Sequence, residues 1–125
     1  MAARTAVATL DPAEASGQAS ACAREECCAL YHHAVELIGK RWSGAILSVL
    51  LEGPLRFSEI RALVPEISDR LLSERLKELE AEGLVDRQAL DDQRGAVAYR
   101  LTEKGEALEP AVAALKSWAR DWLAP

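Results

Sequence analysis

Glycine and proline punctuate the middle of this chain closely. Gly39, Gly53-Pro54, Pro65, Gly83 and Gly95 cut residues 28–101 into short pieces, each a helix, a strand or a turn. From Cys28 onward, Leu30, Ala34, Val35, Leu37 and Ile38 recur at helical spacing and predict a first helix that stops at Gly39. A second helix is expected from about Arg41 to Leu51. Its wide apolar face of Ile46, Leu47, Val49, Leu50 and Leu51 should make it the most buried helix, and Gly53-Pro54 ends it. After an extended piece at Leu55–Phe57, Ser58 is the expected N-cap of a third helix that holds Ile60, Leu63 and Val64 and stops before Pro65. Through the turn Pro65-Glu66-Ile67 it meets a fourth helix, capped by Ser68 and running to about Glu82. That helix carries Leu72, Leu76 and Leu79 on one stripe, with Gly83 at its C-terminal cap. Leu84–Leu90 and Ala96–Leu101 have strand character around the turn Asp91–Gly95, which predicts a hairpin. Thr102 caps a last helix to about Leu123, in which Pro110 should introduce a bend.

A chain of 125 residues holds one domain with one core, which excludes a multidomain enzyme. Apolar residues make up 50%, but 23 of them are alanine and only six are aromatic, so the core must be leucine and alanine on helices. Residues 1–23 are rich in alanine and nearly devoid of large apolar side chains. They cannot bury enough surface to offset their ordering entropy, so they are expected to form a flexible arm, with residues 24–125 as the folded domain. The longest uncharged stretch, Trp42–Leu51, falls far short of the roughly 18–20 apolar residues of a membrane helix. The hydrophobic segment of a secretory signal is missing as well, so the expectation is a cytoplasmic protein with no membrane partner.

The net charge of −5 excludes a protein that coats nucleic acid by bulk charge; any DNA contact must come from a local basic face. Such a face is suggested by the element order: helix, helix, short strand, helix, turn, helix, hairpin, helix. That is the order of a winged helix-turn-helix domain, mainly α with a small β-hairpin, whose second paired helix enters the major groove while the hairpin reaches minor groove or backbone. Opposite the leucine stripe, the fourth helix presents Arg70, Ser73, Glu74 and Lys77. Arginine can grip guanine O6 and N7, and lysine suits phosphate. Arg56, Ser58 and Ser68 complete the candidate DNA-facing set, together with Arg94 at the hairpin tip, a residue suited to a narrow minor groove. The bland alternatives are a solvated amphipathic helix and an ordinary turn residue. Over residues 56–77, Arg56, Arg61, Arg70, Arg75 and Lys77 outnumber Glu59, Glu66, Asp69 and Glu74 by only one.

A series of motifs follows in order: Cys28-Ala-Leu-Tyr-His-His-Ala-Val-Glu-Leu-Ile-Gly-Lys-Arg-Trp42, Leu51-Glu-Gly-Pro54, Arg56-Phe-Ser-Glu-Ile60, Ile67-Ser, Leu71-Leu-Ser-Glu-Arg-Leu-Lys-Glu-Leu79, Gly83-Leu-Val and Tyr99-Arg-Leu-Thr-Glu-Lys-Gly105. Together they resemble the HxlR family of bacterial winged-helix regulators over about residues 28–123. The resemblance implies a dimeric repressor or activator on an inverted-repeat DNA operator, here taken as a repressor, with dimerisation helices at both ends and no catalytic activity. The last helix supports a dimer independently. Leu108, Ala111, Val112, Leu115, Trp118, Ala119 and Trp122 recur at the spacing of a packing seam, too many large groups for the surface of a small monomer. Leu30, Leu115, Trp118 and Trp122 are the interface candidates, and packing wholly within the chain is the alternative.

The three cysteines, Cys22, Cys27 and Cys28, are too few and too clustered for a secreted disulfide framework. Cys28, at or just before the start of the first helix, sits where free backbone N–H groups and the helix dipole lower a thiol pKa. In the thiol-sensing branch that the chain resembles, a cysteine at this place answers to quinones, aldehydes or oxidants; here Cys28-Ala29 replaces the usual Cys-Pro. Cys28 is therefore the first candidate sensor, with Cys27 and Cys22 behind it and a small electrophile or oxidant as inducer. No cysteine follows Cys28, so alkylation, a mixed disulfide, or pairing with Cys22 or a partner's cysteine are the open chemistries. A buried, unreactive thiol is the plain alternative. A metal-responsive site from Cys22, Cys27, Cys28 and His32 is another, but His32 and His33 point about 100° apart on a helix and could not both join it. An enzyme using Cys28 and His32 would lack a third orienting group and an oxyanion hole. A helical adaptor without DNA binding is the remaining reading. Neither a cofactor nor a resident metal is expected.

Overall fold

A computed structural model describes residues 26–90 and 95–125, with side chains from residue 29 onward. The arm expected over residues 1–23, Cys22, and Arg94 at the hairpin tip lie outside the described residues. Helix α1 spans Glu26–Gly39 and forms one unit; the elements from Arg41 onward form another, and each is described by itself. Helix α1 starts at Glu26, so Cys27 and Cys28 fall inside its first turn, earlier than expected. Gly39 is its last residue, as the sequence predicts.

The second unit contains α2 (Ser43–Leu50), β1 (Leu55–Arg56), α3 (Phe57–Leu63), α4 (Asp69–Ala81), β2 (Val85–Ala89), β3 (Val97–Leu101), α5 (Glu103–Glu106) and α6 (Glu109–Trp122). This is a winged helix-turn-helix, with α3 and α4 as the helix pair and β2–β3 as the wing. Helix α2 starts two residues later than expected because Trp42 takes a left-handed conformation, φ 78°, and cannot be helical; its carbonyl accepts the first bond of the helix, from the Ile46 N–H at 3.0 Å. Ile46, Leu47 and Leu50 are buried, making α2 the apolar centre of the unit. Val49 and Leu51 stay half-exposed, so the buried face is narrower than the run of aliphatic residues suggested.

The extended piece before α3 becomes a third strand. Leu55 and Arg56 pair antiparallel with Tyr99 and Ala98, so β3 lies between β1 and β2 and against α2, α3 and α5. Pairing carries the extended backbone through Arg56, which displaces the expected cap. Arg56, not Ser58, is the N-cap of α3, and its N–H donates to the Glu59 carboxylate at 2.7 Å, three residues into the helix. Ser68 does cap α4, its hydroxyl accepting from the Leu71 N–H at 3.1 Å. At the other end Gly83, φ 78°, donates to Glu80 and the Leu84 N–H donates back to Leu79, both bonds near 3.0 Å. This pairing of bonds requires a left-handed residue at the position where glycine stands.

The single last helix predicted by the sequence is two. Thr102 caps α5 by accepting from the Gly105 N–H at 3.1 Å, but α5 ends at Glu106 and α6 begins at Glu109. The division explains why Pro110 does not bend a helix interior. It occupies the first turn of α6, where its missing N–H would have no intrahelical partner anyway. The chain passes tightly at Gly105, since a Cβ there would lie 2.3 Å from the carbonyl oxygen of Leu84. The opposing atom is backbone and cannot swing aside. Gly105→Ala is therefore expected to destabilise the unit by about 3 kcal/mol, the upper end of overpacking costs, in urea unfolding followed by circular dichroism.

Candidate nucleic-acid interface

Helix α4 is amphipathic in the way a groove-reading helix requires. Leu72, Leu76 and Leu79 are buried, and the opposite face presents Arg70, Glu74 and Lys77 to solvent. Ser73, on the flank, is half-buried. The Arg70 side chain is 90% exposed and its Nε lies 3.3 Å from Glu74 one turn on. Exposed pairs of this kind contribute about 0–1 kcal/mol, so Arg70 can exchange the carboxylate for another acceptor at little cost. Arg56 is half-buried at the start of α3, with Ser58 exposed beside it, and Ser68 is exposed but its hydroxyl is committed to the cap.

Two bases of the sequence count face inward instead. Arg61 spans the turn between α3 and α4, where it contacts Asp69 through Nε and donates from Nη1 to the Ile67 carbonyl at 2.6 Å and to Pro65 at 3.4 Å. Arg75 is only 16% exposed; it donates from Nε to the Arg41 carbonyl at 3.0 Å and from Nη1 to Glu78 at 3.2 Å. The helical wheel carried a signal for Arg75, which lies about 70° from the leucine stripe where Arg70 lies about 150° away. The C-terminal end of α4 is held similarly. Lys104 Nζ donates to the Glu82 carbonyl at 2.7 Å, and the Thr102 hydroxyl to Gly83 at 2.5 Å.

Whereas β3 keeps Ala98 and Leu101 in the core, only Val85 of β2 is buried, so Asp86–Ala89 are exposed. Sequence reading overlooked Arg87 there, exposed and paired with Tyr99 across the ladder, and Arg100, 3.8 Å from Asp86 on the adjacent strand. Helix α6 buries none of its residues. Leu115, Trp118 and Trp122 are 58%, 53% and 73% exposed, and Leu30 and Tyr31 on α1 are exposed as well. His32 lies 3.4 Å from Glu36, one turn along α1. Among the described residues no three His, Cys, Asp or Glu side chains converge on a metal-sized site, and no helix is long and apolar enough to cross a membrane.

Residues 37–125 match the family model described as HxlR-like helix-turn-helix. The chain belongs to the HxlR family. It is 44% identical over 102 residues to the helix-turn-helix transcriptional regulator YvaP of Bacillus subtilis, covering 82% of this chain and 94% of that one. It is 45% identical over 98 residues to the regulator YodB of the same organism, covering 78% and 88%. The structure of reduced YodB superposes with a TM-score of 0.67 over 73% of this chain and 89% of YodB, and that of quinone-bound YodB with 0.65 over 74% and 96%, both at 46% identity. The redox regulator HypR in its reduced form gives 0.69 at 37% identity over 73% and 90%. The family is one of DNA-binding transcriptional regulators, and this chain is a transcriptional regulator of that type.

The inward arginines have a measurable signature. Arg61→Ala should lower unfolding free energy by about 1–3 kcal/mol, because guanidinium bonds to two backbone carbonyls are lost, most of it from the short bond to Ile67. A thermal or denaturant titration of the purified protein measures this directly.

Proposed function

We propose that this chain acts in the cytoplasm as a homodimeric, non-enzymatic repressor that occupies an inverted-repeat operator and is released when an electrophile or oxidant modifies Cys28. The observation that carries the DNA-facing part is the split of α4 into a sealed leucine face and an exposed face of Arg70 and Lys77. In this reading α4 is the recognition helix, Arg70 reads a base edge, Lys77 binds phosphate, and Arg56, Ser58, Ser68 and Ser73 line the approach. Arg94, which the sequence puts in the turn between β2 and β3, is assigned to the adjacent minor groove. The exposed aromatic seam of α6 supports the dimer, with Leu30, Leu115, Trp118 and Trp122 covered by a second copy; apolar groups of that size are rarely left together in water. Two-fold pairing sets the recognition helices about 34 Å apart, one turn of DNA, and so selects a pseudo-palindrome.

The sensing part rests on the place of Cys28, the third residue of α1, where backbone N–H groups lack intrahelical partners. The likeness to quinone-bound YodB and to the redox regulator HypR supports the same chemistry. Thiolate attack on a quinone gives a thioether adduct, and diamide or a peroxide gives a disulfide with a small thiol or a neighbouring cysteine.

Fluorescence anisotropy with DNA from upstream of the chain's own gene tests the interface. Arg70→Ala is expected to lose about 1–3 kcal/mol on the matched site and to relax preference at one base pair, whereas Lys77→Ala should weaken all sequences alike and flatten the salt slope by about one. If wild type shows no sequence-selective binding, the chain is the helical adaptor instead. Cys28→Ser should bind the operator as wild type does when reduced but remain bound after diamide or quinone. Full release of that variant would transfer the sensor to Cys27 or Cys22.

A further inference from the structure

Arg75 is the one base on α4 that is largely withdrawn from solvent, and its two bonds point in a consistent direction. Nε reaches 34 residues back along the chain to the Arg41 carbonyl at 3.0 Å, while Nη1 is anchored one turn onward to Glu78 at 3.2 Å. The acceptor belongs to an unusual piece of backbone. Arg41 precedes Trp42, whose φ of 78° is the only positive φ of a non-glycine residue among those described, and the Arg41 guanidinium lies 5.2 Å from the Trp42 ring centre. An aromatic residue leaves the ordinary regions of backbone space only when its surroundings hold it there. Three contacts do so here: the Ile46 N–H bonded to the Trp42 carbonyl, the Arg41 cation over the indole, and the Arg75 Nε–H bonded to the Arg41 carbonyl. The junction also follows directly from α1 through Lys40, and α1 carries Cys27 and Cys28 in its first turn.

We propose that Arg75 is a positioning residue for DNA binding, tying the recognition helix to the strained Arg41-Trp42 junction so that the two move together. The inference rests on α4 being the recognition helix, but it assigns Arg75 no contact with DNA. A guanidinium suits the task because its planar fork donates to a carbonyl and a carboxylate at once with its orientation fixed. With the tie cut, α4 keeps its leucine face but loses the restraint on its rotation and slide, and Arg70 and Lys77 reach the groove less often in register.

The test compares wild type with Arg75→Met, which keeps the stem and removes the fork, and Arg75→Lys, which retains one donor. Operator affinity of reduced Arg75→Met should fall roughly tenfold, the loss expected of charge-assisted bonds, with the salt slope unchanged. Arg75→Lys should recover to within about threefold of wild type, since one donor can still reach the carbonyl. A slope flatter by about 0.9 in Arg75→Met would mean that Arg75 touches phosphate and would overturn the proposal. A lowered melting temperature with operator affinity intact would overturn it too, reducing Arg75 to a purely structural role. Amide hydrogen exchange provides an arm that needs no DNA: exchange at Ile46 and along residues 69–76 should quicken together in Arg75→Met. If exchange is unchanged at both places, the tie is refuted even where no operator binding is seen, whereas absence of operator binding by wild type alone counts against the recognition-helix reading.

Discussion

Burial of Leu72, Leu76 and Leu79 sets the orientation of everything that could face DNA, because a helix advances about 100° per residue and sealing one stripe aims the opposite one. With that stripe in the core beside Ile46, Leu47, Leu50 and Ile60, Arg70, Glu74 and Lys77 have nowhere to go but outward. Caps then hold the helix ends. Ser68 satisfies an N–H at the start, and Gly83 with Leu84 closes the end, where Lys104 and Thr102 from the α5 region take two further carbonyls. Helix α4 is thus restrained at its start, at its middle through Arg75, and at its end. A reading helix needs such restraint, since recognition depends on presenting side chains in a fixed register to base edges.

The acidic balance of the chain is less paradoxical once its bases are sorted by what they touch. Arg61, Arg75 and Lys104 bind backbone carbonyls of the turn, the α1–α2 junction and the end of α4. Guanidinium and ammonium groups satisfy carbonyls that a helix terminus or an irregular turn leaves without partners, so positive charge serves as mechanical support. At the start of α3 and along α4 that leaves Arg56, Arg70 and Lys77 with side chains that solvent can reach, a local set of bases rather than a bulk positive charge.

Much of the fold was legible locally. The cap at Ser68, the stop at Gly39, the Gly83 terminus, the leucine stripe and the hairpin all follow from residues within about four positions of one another, the range over which capping and helical periodicity act. Where expectation and structure part, a distant segment is responsible. Ser58 looks like a cap, but β1 is drawn into the sheet by β3, more than 40 residues on, and its extended backbone puts Arg56 in that position. Pro110 looks like a kink, but the chain has already broken at Ala107 and Leu108, after Gly105 passes against the Leu84 carbonyl, so the proline falls in a first turn.

The sequence by itself determined the element order, the apolar stripe of α4, the clustering of three cysteines ahead of or within the first helix, and membership in a regulator family through motifs spread from Cys28 to Gly105. Only the tertiary structure decided which arginines stand free in solvent and which are braces. Arg70 and Arg75 are the same residue type five positions apart on one helix, yet one is 90% exposed and the other 16%. The physical reason is that composition counts charges while solvation depends on which carbonyl or carboxylate stands within reach. For Arg75 that carbonyl belongs to a residue 34 positions away, brought close only by folding.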